Sequence, residues 1–538
     1  MPTPLARHRA AEPDSTGNGR STAFDLVRRY VAVALLVLLV ALLVEVLFES
    51  WVQELFGTHT VDADGKSVLS LPDWPKQLKN GLLVALVALS AVKITLERRW
   101  REFWTRADIA LVVLVVIMIL AGVFGTSGPK LIGEAIFVYL RGAIVFYAVR
   151  ALHPTWAQIK RVLWIVGAVI GLNVVIAVIQ MFTRSAIGPA DHTWADLSRA
   201  TGLLDHPNHL GHILGVVLIG LFAWMTGLEK VTRWWWVTFG VAALGMAATQ
   251  SRESMLAAVV AGVLIWLLRR GRARTATATS ESARPAAGSP GKTVLIGASV
   301  IIALFAINTL ARPGNLEQLW YRVQGVSNAV QTQAGQENCP PDETITQCVN
   351  EGKAPAREVR LLFIQQGARL LVHRPVLGFG VGQFGGIVAE ENDPNWEKDP
   401  RFGPGGFNLY EFDGTTVDCF WLHEGMETGV LGLLAYLAWL WLITVPLLGV
   451  TRRFAGRRVW GAGGRREEGA GRVQNVALWG IGAMVFSVIV AVFSPALEDP
   501  LYPPIVFAVF GLAWVLTRDV RHGGQPRTRD RQPDAIGS

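Results

Sequence analysis

Apolar residues along this chain come in long unbroken runs separated by short polar or basic connections, and that alternation sets the fold class. Runs such as "YVAVALLVLLVALLVEVLF", "IALVVLVVIMILAGVFG" and "VLWIVGAVIGLNVVIAVIQ" contain almost no charge. They approach the roughly 20 residues that cross a hydrocarbon core. Lipid offers the backbone no hydrogen-bond partner, so such runs must be helical. Windows of this kind predict about twelve spans, centred near residues 30–48, 80–96, 107–124, 133–151, 162–183, 208–227, 234–250, 253–268, 293–311, 421–449, 475–494 and 503–517. The predicted fold is an all-α integral membrane protein with one large extracytoplasmic loop domain between the ninth and tenth spans.

The polar connections fix the orientation. With the N-terminus inside, every second connection is basic: "ERRWREFWTR", "HPTWAQIKR", "EKVTR", the stretch from "RRGRAR" to "GSPGK", "TRRFAGRRVWGAGGRR" and the tail "RDVRHGGQPRTRDRQ". Short cytoplasmic loops keep Lys and Arg, which places both termini in the cytoplasm. A chain of 538 residues that is 51% hydrophobic and 17% charged fits this single polytopic protein. The formal charge of +8 then reads as topology and affinity for anionic headgroups, a stronger reading than nucleic-acid binding. Residues 1–26 are predicted to be a disordered cytoplasmic arm. The first span is too long for a signal-peptide core and has no evident cleavage site, so it reads as a retained anchor. Residues 27–311 carry the first nine spans, with a flexible cytoplasmic linker at 269–292; residues 312–417 form the outer domain; 418–518 carry the last three spans and 519–538 the cytoplasmic tail.

Within the outer domain, "CPPDETITQC" sets Cys339 and Cys348 on one polar loop in a compartment that permits oxidation. This predicts a local disulfide, with two free thiols as the alternative. After it, "APAREVRLLFIQQGARLLVHRP" shows helical periodicity through Val359, Phe363, Leu370 and Leu371, is stopped by Pro375, and is expected along the membrane surface.

Four stretches carry candidate chemistry. "LLDHPNHLGHIL" holds His206, His209 and His212; a metal site is one reading, and polar groups serving the start of an interfacial helix are the favoured one. "GFGVGQFGG" matches GxGxxG at Gly380, Gly382 and Gly385, but no strand precedes it and the outer face lacks nucleotides, so it reads as a tight loop. Arg199 and Arg252 fall at outer ends of spans, the latter with Ser251 at the tip of a tight hairpin. Arg252 either snorkels to headgroups or pairs with Glu253, or both arginines join Arg360 in a pocket for a diphosphate, whose oxygens match the guanidinium fork. Finally, "VDCFWLHEGMETGVLGLL" gathers Asp418, His423, Glu424 and Glu427 at the start of the tenth span. They form either an acid/base site or ordinary cap chemistry.

In this order and placement, four segments resemble the O-antigen ligase and polymerase superfamily of membrane glycosyltransferases. "RATGLLDHPNHLG" is similar to its R-x-x-G followed by P-N, and "SRESMLA" to its S-R-x-x-x-L hairpin. "REVRLLFIQQGARLLVHRPVLGFGVGQF" is similar to its Arg, helix and P-x-x-G-x-G-x-x-x-F, and "VDCFWLHEGMETGVLGLL" to its H/D-N-x-x-L followed by E-x-G-x-x-G. The resemblance implies a GT-C-like fold in a bacterial cytoplasmic membrane with its active site on the extracytoplasmic face. It implies transfer of a glycan from a polyprenyl diphosphate carrier, undecaprenyl diphosphate being the expected one, to a glycan or glycolipid acceptor. Neither metal nor cofactor is implied, and no nucleic-acid partner. Arg199, Arg252 and Arg360 would bind the diphosphate, with Asn208 and Ser251 supporting. Asp418 stands where the ligases carry His, which favours a polymerase over a ligase, and Cys419 replaces the usual Asn, so His423 and Glu427 stay open as alternative bases. The competing expectation from another class is a transporter or flippase for a lipid-linked saccharide or other anion. It predicts charged or broken helices near the bilayer midplane, whereas the polar groups here cluster at one face.

Overall fold

A computed structural model describes residues 18–61, 67–183, 199–228, 230–270, 297–300, 302–303, 306, 359–409, 416–454 and 465–521. In chain order the elements are α1 (Asn18–Glu45), α2 (Glu49–Leu55), β1 (Thr58–Val61), β2 (Ser67–Ser70), α3 (Trp74–Leu96), α4 (Arg106–Phe124), α5 (Pro129–Leu152), α6 (Trp156–Thr183), α7 (Pro207–Met225), α8 (Arg233–Thr249) and α9 (Arg252–Arg270). There follow α10 (Val359–Leu371), α11 (Ile387–Asn392), α12 (Phe420–Phe454), α13 (Arg465–Phe493) and α14 (Tyr502–Arg521). Among the described residues, eight helices are long and apolar enough to cross a membrane: α1, α3 to α7, α12 and α13. Helices α8, α9 and α14 occupy three further predicted spans. The ninth predicted span lies largely outside the described residues, as do residues 312–358 with Cys339 and Cys348, and 271–292 of the linker.

Two local features differ from expectation. Helix α1 begins at Asn18, inside the stretch whose composition reads as a disordered arm. The connection between α2 and α3 holds a short antiparallel hairpin, with Thr58 opposite Ser70 and Val61 opposite Ser67. Its strands are too short to register beside runs of twenty apolar residues, although the Asp64-Gly65 dipeptide between them is a hairpin signal.

Lipid gives helices no hydrophobic reason to associate, so close packing must hold the bundle together. Helices α5, α7 and α13 form its buried centre, whereas α1 and α6 keep most of their surface outward, with Val33, Val37, Trp164 and Phe182 exposed as lipid-facing side chains would be. Small residues mark the tight contacts. A Cβ at Gly142 would stand 2.3 Å from the Phe507 ring of α14, and one at Gly215 2.3 Å from Phe486 of α13. One end of the bundle is tied by ions: Arg518 bonds Glu102, Arg99 reaches Glu97 and Glu102, and Arg150 pairs with Asp108 among the rings of Phe103, Phe146, Tyr147 and Trp514.

The opposite end carries the small domain built on α10 and α11. Its core is aromatic, formed by Phe363, Phe379, Phe384, Trp396, Phe402 and Phe407. Helix α10 therefore buries its apolar face inward, and Gly367 lies so close to α12 that an added Cβ would meet Leu422 at 2.4 Å. The domain is keyed into α12, which is broken at Gly429 (φ 70°, ψ −171°). There the segment from Pro375 runs alongside: Val430 N donates to Pro375 O (2.8 Å), Phe379 N to Met426 O (2.7 Å) and Gly380 N to Glu427 O (3.2 Å).

Only glycine adopts such a backbone without strain, and a Cβ at Gly429 would fall 2.3 Å from Val376 O. Gly429→Ala is expected to cost at least about 1–3 kcal/mol from backbone strain. A lowered unfolding temperature of the detergent-solubilised protein would show it; an unchanged temperature would mean the break is dispensable.

Candidate functional site

The polar residues singled out in the sequence meet at the end of the bundle that carries the small domain. Arg199 begins a loop that α6 holds from below. Asn173 accepts from Leu203 N (2.9 Å), and Gln180 accepts from Gly202 N (2.8 Å) and Thr201 N (3.1 Å) while donating to Gly202 O (3.0 Å). Two amides on an otherwise apolar helix thus satisfy a buried irregular backbone. Gly202 has φ +68°, and a Cβ there would crowd Asn173 Oδ1 at 2.9 Å, which accounts for the R-x-x-G spacing. The Arg199 guanidinium donates to Asn208 Oδ1 (2.6 Å) and to Thr249 O (3.2 Å), so one side chain joins the start of α7 to the end of α8.

The three histidines serve this framework separately. His206 is the extended N-cap of α7, its Nδ1 accepting from Asn208 N at 3.1 Å with Pro207 as the first helical residue. Burial, with the charges of His209 and Arg199 adding to it, pushes His206 down to about 3, so it stays neutral as an acceptor must. His209 lies between two carboxylates, Nδ1 2.7 Å from Asp205 and Nε2 2.9 Å from Asp499. His212 is buried with its ring 5.4 Å from that of Tyr502. Among the described residues, no three His, Cys, Asp or Glu side chains gather as metal ligands would.

The α8–α9 turn is as tight as its sequence predicts. Gln250 takes the left-handed conformation (φ 53°) that ends α8, and Ser251 is fully buried with its Oγ 2.7 Å from Ser254 Oγ. Gly211 lets α7 approach this tip, where an added Cβ would stand 2.6 Å from Ser251 Cβ. Arg252 opens α9, partly exposed. Across from the tip, Arg360 of α10 donates to Asp418 Oδ2 at 2.7 Å, each side chain about a quarter exposed (24% and 23%). Burial raises the Asp418 carboxyl above its ordinary range, Arg360 opposes that, and the charge of Glu253 adds to it. Glu253 follows Arg252, so its influence makes the hairpin tip and Asp418 electrostatic neighbours. Cys419 is buried, and burial pushes its thiol up to about 11.

His423 and Glu427 are placed differently from Asp418. Both are fully buried. His423 Nδ1 is 2.6 Å from Glu498 Oε1. Glu427 accepts from Tyr139 OH (2.8 Å), Gly382 N (2.7 Å) and Phe384 N (3.0 Å), which makes it the anchor of the glycine loop and leaves no face open to a reactant. That loop has Gly378, Gly380, Gly382 and Gly385 all at positive φ; it embraces a carboxylate, where a phosphate loop would present its N–H groups to a ligand. Sequence reasoning passed over Glu498 and Asp499. Their only signal was two adjacent acids in the connection "SPALEDPLYPP" between α13 and α14.

Residues 237–437 match a family model described as O-antigen ligase. The match runs from α8 through the small domain into α12, so it contains Arg252, Arg360, Asp418 and the Gly429 break, while Arg199 precedes it. No curated protein matches the chain.

For an acid whose folded-state pKa is raised, the associated stability is complete at low pH and is lost as pH rises through the raised midpoint. Asp418, followed by carboxyl NMR, is expected to titrate above the roughly 3.9 of an unperturbed aspartate. Arg360→Ala, which removes the cation opposing the shift, should move that midpoint higher. A midpoint that stays put or falls in Arg360→Ala would contradict the pairing.

Proposed function

We propose that this chain, whose residues 237–437 match a family model described as O-antigen ligase, transfers a glycan from a polyprenyl diphosphate carrier to an acceptor sugar hydroxyl. The reaction would run at the outer face of a bacterial cytoplasmic membrane. The observation that carries this reading is the partly exposed Arg360–Asp418 pair within electrostatic reach of the hairpin tip that carries Arg252, with Arg199 bonded to Thr249 just before that tip. A guanidinium at a membrane boundary is costly without a counter-anion or water. Three of them from distant parts of the chain suit a lipid diphosphate, which carries several negative oxygens in a small volume.

In the reaction the bond from the anomeric carbon to the diphosphate oxygen breaks and the acceptor oxygen attacks from the opposite face, inverting configuration. The departing lipid diphosphate gains charge, and the arginines stabilise it as it leaves. The acceptor hydroxyl must lose its proton, and Asp418 is the carboxylate with an accessible oxygen to take it. Donor binding would draw Arg360 from Asp418 to the diphosphate and so uncover the base only when substrate is present. The reading needs no metal or organic cofactor, because guanidinium groups neutralise the charge. Basic connections lie at the opposite end of the bundle, at residues 97–106 and 153–161, which supports an outward-facing site. Asp418 in place of an imidazole favours chain polymerisation over ligation to a lipid acceptor.

One observation favours a transporter instead: α12 is broken, as transporter helices often are at their substrate sites. In this protein the donors exposed by the break are already taken by Pro375 O and Val376 O, so it offers no vacant ligands.

Nanodisc-embedded protein supplied with a polyprenyl-diphosphate oligosaccharide should produce longer chains or a glycosylated acceptor. Arg252→Ala and Asp418→Asn should each cut transfer by about 10²-fold or more while leaving membrane insertion intact. Full transfer by Arg252→Ala, or relocation of chemically unchanged lipid by the wild type, would remove the assignment.

A further inference from the structure

Two adjacent carboxylates reach the two flanks of the site. Glu498 binds His423, five residues beyond Asp418 (Oε1 to Nδ1, 2.6 Å). Asp499 lies 2.9 Å from His209, the residue after Asn208, which in turn holds Arg199. Both acids are almost wholly buried. The turn that carries them is stiff: Glu498 N and Asp499 N both donate to Pro495 O (3.0 and 3.1 Å), and Asp499 Oδ1 accepts from Leu501 N (2.7 Å). The same connection supplies Ser494 O to the first N–H of α12 at Phe420 (3.2 Å). Gly386 leaves room for Glu498, since a Cβ there would meet Glu498 Oε2 at 2.7 Å.

Resting on the transfer reading above, we propose that Glu498 and Asp499 are positioning residues. Together they form a strut that fixes the separation between the donor-binding flank at Arg199 and the proton-accepting flank at Asp418. Neither acid touches substrate. Because they are neighbours in one rigid turn, the spacing of His209 and His423 is set by a few backbone bonds as well as by helix packing. In-line displacement tolerates little misplacement between the leaving diphosphate and the base, so a short strut across the cleft has a defined use. It also explains why buried carboxylates are retained here, where each requires a partner to offset desolvation.

The two residues predict opposite kinetic splits. In the full chain in nanodiscs, Asp499→Asn should raise KM for the polyprenyl-diphosphate donor by about tenfold with kcat nearly unchanged, whereas Glu498→Gln should lower kcat by about tenfold with KM nearly unchanged. Hydrogen exchange gives a readout that does not depend on activity. Amides at 199–209 should exchange faster in Asp499→Asn alone, and amides at 417–424 faster in Glu498→Gln alone. If Asp499→Asn does not fold, His209→Gln breaks the same contact from the other side. Equal effects of both variants on kcat and KM, or faster exchange spread over the whole bundle, would overturn the strut. A wild type that transfers no glycan would instead refute the transfer reading, with the exchange pattern still deciding the strut.

Discussion

The structure depends on how one interrupted membrane helix satisfies its backbone. Breaking α12 at Gly429 exposes N–H and C=O groups where lipid can pair with none of them, and each such group left alone would cost about 1–3 kcal/mol. The segment Pro375–Gly380 supplies the partners, and the Glu427 carboxylate gathers two more N–H groups from the following loop. The break and the small domain therefore stabilise each other. The domain fits only where α12 is interrupted, and the interruption is tolerable only because the domain fills it.

Once that joint is made, the site's position follows. The short first segment of α12 is held against Phe384, Phe407 and α10, so the backbone that carries Asp418 is fixed against the helix that carries Arg360 while their side chains stay free to part. On the other side, Gly211 admits the hairpin tip against α7, and Arg199 bonds both α7 and the end of α8. Each flank is rigid within itself. The acids of the α13–α14 connection reach both, Glu498 at His423 and Asp499 at His209.

Much of this was legible in the sequence. Apolar run length located the helices, because the bilayer imposes one length scale on all of them. The sequence context made "GFGVGQFGG" read as a tight loop instead of a nucleotide motif, and among the described residues its Gly382 and Phe384 N–H groups meet the Glu427 carboxylate. Arg252 was marked by charge at the tip of a hairpin too short to hide it. Other features were out of reach for physical reasons. Glu427 looked like a candidate base because a carboxylate near a membrane face reads the same whether it meets a substrate or, as here, two N–H groups and a tyrosine hydroxyl. The α1–α3 hairpin was masked by the stronger apolar signal around it. Glu498 and Asp499 have partners 75 and 290 residues away in the chain, at His423 and His209, and no local pattern encodes a contact over such separations. Helix α10 reads as a surface-lying amphipath because its apolar face fits a lipid surface as well as an aromatic core.

The central claim, that arginines from separate parts of the chain share one diphosphate beside Asp418, is tested most directly by an electron cryo-microscopy structure in nanodiscs with polyprenyl diphosphate bound. The account predicts phosphate density within hydrogen-bond distance of Arg199, Arg252 and Arg360, with Arg360 turned away from Asp418. Phosphate density at the opposite end of the bundle, or an Arg360–Asp418 pair left intact beside a bound lipid, would contradict it.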